Sequence, residues 1–227
     1  MIIFAVFVAA CSSPSATTLA AGVAGETTSA ATAPDPSVVL LQFLNSLRDG
    51  DFVAAGDLTD EPQLLLLAAI EAADASLLGG IPDGAATLDP QIRENFWSSF
   101  VTAVPGLSGT ESFSFSEPEE YLAAADEFQA IMVTLGDGTT IGTWVLRNDP
   151  SDGWLIDPIA SLGGPFVGSY SDWTSSLTAG QRLLAQQAAG YYRSSWQVLA
   201  DRQPGDDPGV AVAQSVDDLL RLIDEPG

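Results

Sequence analysis

Carboxylates are the side chains in this sequence best suited to acid–base chemistry. The chain of 227 residues has 30 acidic residues and seven basic ones, all arginine, with no histidine and no lysine. An imidazole base, a Ser-His-Asp triad, a histidine-bound metal and a Schiff-base lysine are therefore excluded. Asp126, at a predicted strand entrance, and Asp157, in the last predicted strand, are the best candidates for a carboxylate-only mechanism. If Asp157 lies beside Arg147, we expect an ion pair rather than a general base.

No metal, cofactor or nucleic-acid site is predicted. The segment from Asn148 to Gly153 superficially resembles a calcium loop, but Pro150 is its third residue and Ile159 stands where a bidentate glutamate is required. The net charge of −23 repels a phosphate backbone, because such binding depends on lysine and arginine. Nucleic acid is thus not expected as a partner.

The N-terminus carries a secretion and anchoring signal. Residues 1–10 form an uncharged apolar run, too short to cross a bilayer but suited to a signal peptide. Val8-Ala9-Ala10, at the end of this run, and the next residue, Cys11, together resemble the bacterial lipoprotein box. The resemblance implies that Cys11 is diacylated and becomes the mature N-terminus. The partner at this end is then the membrane, and the location is the outer face of the cell membrane. A short buried apolar start with an incidental cysteine is the alternative.

A tether is predicted between this signal and the folded part. Residues 11–35 consist almost entirely of Ser, Thr, Ala, Gly and Pro, with Glu26 as one of the few charges. Such a composition cannot bury enough apolar surface to fold. The domain organisation is therefore a signal peptide at 1–10, a disordered tether at 11–35, an α+β domain at 36–160 and a helical extension at 161–227.

Four helices are predicted before any strand. Asp35-Pro36 is a helix start, and Gly50 stands where a glycine cap ends a helix. A short helix fits residues 51–57, a third runs from Glu61-Pro62 to Gly79, and a fourth runs from Asp89-Pro90 to about Val104. The third is apolar on nearly every face, which indicates burial against two neighbours or a partner.

Strands follow from Ser112 onward. Residues 112–116 alternate between serine and phenylalanine, and residues 127–135 and 139–147 flank Asp137-Gly138, a favoured two-residue hairpin turn. That turn places residues whose numbers sum to 275 opposite each other. The face expected in the core carries Ile131, Val133, Leu135, Trp144 and Leu146. The second, mixed face carries Phe128, Met132, Thr134, Ile141, Thr143 and Arg147. Residues 154–157 form the last predicted strand.

Two stretches together resemble the nuclear transport factor 2-like superfamily: SVVLLQFLNSLRDGDFVAAGD at 37–57 and DGTTIGTWVLRNDPSDGWLIDPIA at 137–160. The resemblance implies an α+β cone in which a curved antiparallel sheet wraps helices, and the apolar third helix departs from the simplest family pattern. Family members include isomerases and dehydratases as well as noncatalytic binding or accessory domains. Asp126, Thr143, Arg147 and Asp157 are the polar residues expected in the cone.

The C-terminal third is rich in aromatic residues and nearly neutral. Residues 160–200 contain one acid against two arginines. One helix is predicted from about Thr178 to Asp201, and a final helix has Val212, Val216, Leu219 and Ile223 on one stripe. These aromatics either pack on the sheet or form a surface for an envelope protein or glycan. The candidate surface residues are Tyr170, Trp173, Tyr191, Tyr192, Arg193 and Trp196. Adjacent helical residues point about 100° apart, so at least one of Tyr191 and Tyr192 should be exposed near Arg193.

Two functions remain open. The favoured one is a noncatalytic binding or accessory module of the cell envelope, and the alternative is a small carboxylate-dependent isomerase or dehydratase. An apolar cavity with one buried, unpaired carboxylate would favour the enzyme. A filled cone would favour the binding module.

Lipidation predicts that Cys11→Ala releases the protein from the membrane fraction of its native host and blocks lipoprotein-type processing. The reason is that the acyl chains supply the anchoring free energy, about 0.8 kcal/mol for each buried methylene. Fractionation followed by immunoblotting measures both effects, with Ser13→Ala as the control. Retention and processing that match the unmodified chain would contradict the prediction.

Overall fold

Short polar caps and glycines set the boundaries of most elements in the computed structural model. It describes residues 34–79, 81, 87–104, 106–109, 112–202 and 214–221. The predicted signal peptide, Cys11 and nearly all of the predicted tether lie outside the described residues, as do Val212 and Ile223. Within the described residues no helix is long and apolar enough to cross a membrane.

Helices precede and follow a single antiparallel sheet. The helices are α1 Pro36–Asp49, α2 Phe52–Asp57, α3 Glu61–Glu71, α4 Pro90–Ala103, α5 Pro158–Ser176, α6 Ala179–Tyr191 and α7 Arg193–Asp201. A 3₁₀ turn spans Ala75–Leu78, and residues 214–221 are helical. The strands are β1 Phe113–Phe115, β2 Glu119–Ala123, β3 Asp126–Leu135, β4 Thr140–Asp149 and β5 Gly153–Ile156.

The predicted helix starts are confirmed at α1, α2 and α4. Asp35 Oδ1 accepts a 2.8 Å hydrogen bond from the backbone N–H of Ser37, and Asp89 caps α4 in the same way. Asp51 caps α2. Gly50 ends α1 with φ +73°, in the left-handed region where a Cβ is unfavourable.

The third helix is shorter than predicted. α3 ends at Glu71, because Ala73 adopts a left-handed φ of 52° and Asp74 accepts hydrogen bonds from Ser76 instead of continuing the helix. The expected burial on all faces is confirmed, since every residue of 63–70 is buried. α5 and α4 both contact α3.

The sheet is a curled antiparallel half-barrel with the order β1-β3-β4-β5, and β2 also pairs with β3. The predicted hairpin register is confirmed over most of its length, with Ile131 opposite Trp144. At the tip the prediction is wrong: the Leu135 N–H bonds the Thr139 carbonyl, so the loop has three residues, 136–138. A bulge at Ile141 absorbs the difference. Strand β2 was not predicted.

The face predicted to be the core face is buried at every position: Ile131, Val133, Leu135, Trp144 and Leu146. Helices α1 and α4 fill the concave side of the sheet with aromatic rings. Phe43 contacts Trp97 and Trp144 with centroids 5.3 and 5.2 Å apart, and Phe100 contacts Trp144 at 5.7 Å. The cone is therefore filled, which was the condition that favours a binding module over an enzyme.

The second face of the sheet is divided. Phe128 and Val145 are buried against Ala160 of α5 and Val198 of α7, whereas Met132 is exposed. This second small core attaches the C-terminal helices to the sheet. These helices cover only part of the face, which is mixed in character as predicted. Ile141, expected on this face, instead packs against the main core, because the bulge shifts its position in the strand.

The C-terminal region differs from its prediction in two ways. α5 was not predicted and starts at Pro158, so the helical extension begins there rather than at residue 161. The single helix predicted from Thr178 to Asp201 is two helices, because the chain turns at Tyr192. In the final helix, Val216 and Leu219 are buried as expected.

Trp144→Ala should lower the free energy of unfolding by about 3 to 5 kcal/mol, because it empties the centre of the aromatic cluster. Met132→Ala, on the exposed side of the neighbouring strand, should change it by less than about 1 kcal/mol. Urea unfolding followed by circular dichroism measures both. Equal losses in the two variants would contradict this assignment of faces.

Candidate functional site

A cleft of about 1030 Å³ opens where the α2–α3 connection, the ends of β3, β4 and β5, and the α6–α7 junction meet. Of the 22 residues that line it, six are acidic and one is basic. The acidic residues are Asp57, Asp60, Glu61, Asp126, Asp149 and Asp152. We call this site the acidic cleft.

Backbone hydrogen bonds fix the wall of the cleft to the sheet. The Ile156 N–H donates to the Leu58 carbonyl at 2.8 Å, and the Asp60 N–H donates to the Ile156 carbonyl at 2.9 Å. The chain then leaves β5 and enters α5, with Asp157 as the cap. The start of α3 and the start of α5 are thus held side by side.

Asp157 connects three helices. Its Oδ1 accepts a 2.8 Å bond from the Ala160 N–H in α5. Its Oδ2 accepts bonds from Gln63 Nε2 of α3 at 2.8 Å and from Ser195 Oγ of α7 at 2.7 Å. Gln63 and Ser195 line the cleft, and Asp157 lies completely buried behind them.

Burial raises the pKa of Asp157 to about 6, because desolvation penalises the charged carboxylate. The three hydrogen bonds lower the pKa and offset part of this effect, while the nearby charge of Asp60 raises it further. The result is one carboxylate at the cleft that titrates well above an ordinary aspartate.

The prediction of an ion pair between Arg147 and Asp157 is wrong. Arg147 pairs instead with Asp60 and lies 3.7 Å from Asp149. The physical reason is that both oxygens of Asp157 face the N-terminus of α5 and the side chains of α3 and α7. Asp60, at the start of α3, takes the guanidinium.

Gln63 is a buried amide with one unsatisfied atom. Its Nε2 donates to Asp157 and, at 3.0 Å, to Asp60 Oδ2. Its Oε1 is buried and has no hydrogen-bond partner. Leaving such an acceptor unsatisfied costs about 1 to 3 kcal/mol.

The two adjacent tyrosines behave as expected. Tyr191 is 62% exposed, Tyr192 is only 4% exposed, and Arg193 beside them is exposed. Their rings meet edge to face at 5.3 Å, and Tyr192 Oη donates a 2.7 Å bond to the Pro62 carbonyl. Both tyrosines line the acidic cleft.

The prediction of an exposed aromatic surface is wrong for three residues, Tyr170, Trp173 and Trp196. All three are buried, because α5 and α7 pack together. The Tyr170 ring lies 5.3 Å from Trp196 of α7 and 5.9 Å from Trp173 of its own helix. Tyr170 Oη also donates to the Ala185 carbonyl at 3.2 Å. These side chains form core, and of the six candidate surface residues only Tyr191 and Arg193 are exposed.

The four polar residues expected in the cone do not come together. Asp126 and Arg147 line the acidic cleft, and Asp157 lies behind its wall. Thr143 lies elsewhere, with its carbonyl accepting a hydrogen bond from Arg202. Like Arg147, it lies on the opposite face of β4 from Trp144, but it does not line the cleft.

Sequence analysis missed three residues of the site: Asp60, Gln63 and Ser195. Gln63 did carry a signal, because it is the polar residue at the head of the apolar stretch 64–70 and is buried with it. Asp60 precedes Glu61-Pro62, as a helix cap does. Ser195 carries no local signal, since only the fold brings α7 to Asp157.

Comparisons with protein-family models, with curated proteins and with solved structures find no match for this chain. In the part of the chain that the structure describes, no group of three or more acidic, cysteine or histidine side chains is arranged to hold a metal ion.

The raised pKa of Asp157 predicts a pH-dependent loss of stability. The folded state holds the Asp157 proton more tightly than the unfolded state, so the protonated carboxyl stabilises the fold. This stabilisation is complete below about pH 4 and is lost as pH rises through about 6. Asp157→Asn keeps a helix cap without the charge. Between pH 4 and 7 the wild type should lose about 3 kcal/mol relative to this variant.

Urea unfolding at several pH values measures the difference. Asp35→Asn, which changes a cap on the surface and keeps Asp157, is the matched control and should lose stability with rising pH as the wild type does. A difference between wild type and Asp157→Asn that does not vary with pH would rule out a perturbed Asp157.

Proposed function

We propose that this protein is a membrane-tethered extracytoplasmic lipoprotein whose folded part is a noncatalytic binding module of the cell envelope. The lipoprotein-box pattern ending at Cys11 supports the anchor. Helices followed by a curled antiparallel sheet support membership of the nuclear transport factor 2-like superfamily. The acidic cleft is the binding site.

One observation carries the noncatalytic assignment. The carboxylate with the raised pKa is completely buried, and both of its oxygens already accept hydrogen bonds from the protein. A general base must be within hydrogen-bond reach of the proton it abstracts. Asp157 meets this condition only for groups of its own chain, so it organises the cleft wall rather than reacting.

The alternative is a carboxylate-dependent isomerase or dehydratase with Asp157 as its base. The observation in its favour is the pKa of about 6, close to that of working catalytic carboxylates. Incubating envelope extract with wild type and with Asp157→Asn, followed by mass spectrometry, separates the two functions. A product made by wild type alone, with both proteins folded, would establish the enzyme.

A bound molecule in the cleft should protect a thiol placed there. Ser194 lines the cleft, and with Cys11 lipidated the introduced cysteine of Ser194→Cys is the only free thiol. Labelling by an impermeant maleimide should be about tenfold slower in intact cells than on washed, detergent-purified full-length protein, if the ligand is present at about ten times its Kd.

Ser171→Cys provides the matched control, because Ser171 is an exposed serine of α5 outside the cleft. The ratio of the two labelling rates corrects for differences between cells and micelles. The same ratio in both preparations would mean that the cleft is empty in the cell, which contradicts the binding module.

A further inference from the structure

The charge of the acidic cleft is more one-sided than that of the chain. Six of its 22 lining residues are acidic, against 30 of 227 residues overall. Its one arginine, Arg147, is already paired with Asp60. Among the described residues Asp57, Asp126 and Asp152 form no ion pair. A cleft lined by charges of one sign concentrates such a negative potential and favours a positively charged ligand.

Hydrogen-bonding capacity points the same way. The Gln63 amide nitrogen donates to two carboxylates. Its buried oxygen Oε1 is an acceptor and has no partner. The carboxylates around it are acceptors as well. The acidic lining therefore favours a molecule that brings N–H donors over one that brings acceptors alone.

Tyr191 adds a surface suited to a cation. Its ring is largely exposed at the cleft and is braced edge to face by the buried ring of Tyr192. The face of an aromatic ring attracts ammonium and guanidinium groups through its quadrupole. A ring that lines the same cleft as these carboxylates offers an organic cation a second kind of contact.

We propose that the acidic cleft binds an organic cation bearing several N–H donors, as a primary ammonium or guanidinium group does. This inference rests on the proposed binding function and names its ligand class. A cleft of about 1030 Å³ suits a molecule rather than a single ion. A free polyamine and a basic peptide side chain share this chemistry, and the experiment below distinguishes them.

Isothermal titration of the full-length protein in detergent micelles provides the test. The probes are spermidine, 1,4-diaminobutane and a blocked tri-arginine peptide, with 1,4-butanediol as the neutral match of the diamine. We expect saturable binding of the cations and none of the diol. Tighter binding of spermidine than of the peptide identifies a free polyamine as the ligand, and the reverse identifies a basic peptide.

Paired variants separate the cleft from general attraction by a strongly acidic protein. Asp126→Asn with Asp152→Asn should weaken cation binding at least about tenfold, since two unpaired cleft charges are lost. Glu120→Gln with Asp172→Asn removes the same charge from exposed positions outside the cleft and should change affinity less than about twofold. Tyr191→Leu should weaken binding about two- to fivefold, and Tyr191→Phe should retain it.

Equal weakening by the two double variants, binding of the diol as tightly as the diamine, or no cation binding up to millimolar concentration would overturn the inference. Melting curves of each variant establish that it is folded. Protection of the Ser194→Cys thiol in cells without cation binding would overturn this ligand class alone. Loss of that protection would count against the binding module itself.

Discussion

The buried carboxylate of Asp157 is the interaction on which the arrangement of the helices depends. Removing an ionised group from water is unfavourable, and here no cation pairs with it; three hydrogen bonds from α3, α5 and α7 offset the cost instead. Because each donor belongs to a different helix, the carboxylate is satisfied only when all three are in place. Because burial disfavours the charged form, the pKa of Asp157 is raised to about 6. The same contact that orders the cleft wall is thus a local source of instability.

The two faces of the sheet explain why the site lies at an edge and not inside the half-barrel. Its concave face is occupied by the aromatic rings of α1 and α4, which pack around Trp144. Part of the other face is covered by α5 and α7. Polar residues gather where strands end and helices begin, since the backbone there turns and side chains such as Asp126 and Asp149 are not needed for the core.

Local signals were enough to predict much of the fold but little of the site. Asp35-Pro36 and the alternation around Asp137-Gly138 define a helix start and a hairpin register within a few residues of sequence. Asp157-Pro158 has the same form as Asp35-Pro36, yet α5 was missed because glycines and Pro165 interrupt its apolar pattern. Arg147 pairs with Asp60 and not with Asp157 because of where three helices meet. No local sequence pattern contains that information.

The acceptor character of the cleft follows from the same buried carboxylate. When Asp157 and Asp60 are both ionised they can only accept, so the amide of Gln63 must turn its Nε2 toward them. Its oxygen is then left without a donor, and reversing the amide would set that oxygen, an acceptor, against two carboxylates, which are also acceptors. The unsatisfied atom is a consequence of how the three helices are joined, and it adds to the cost of burying Asp157.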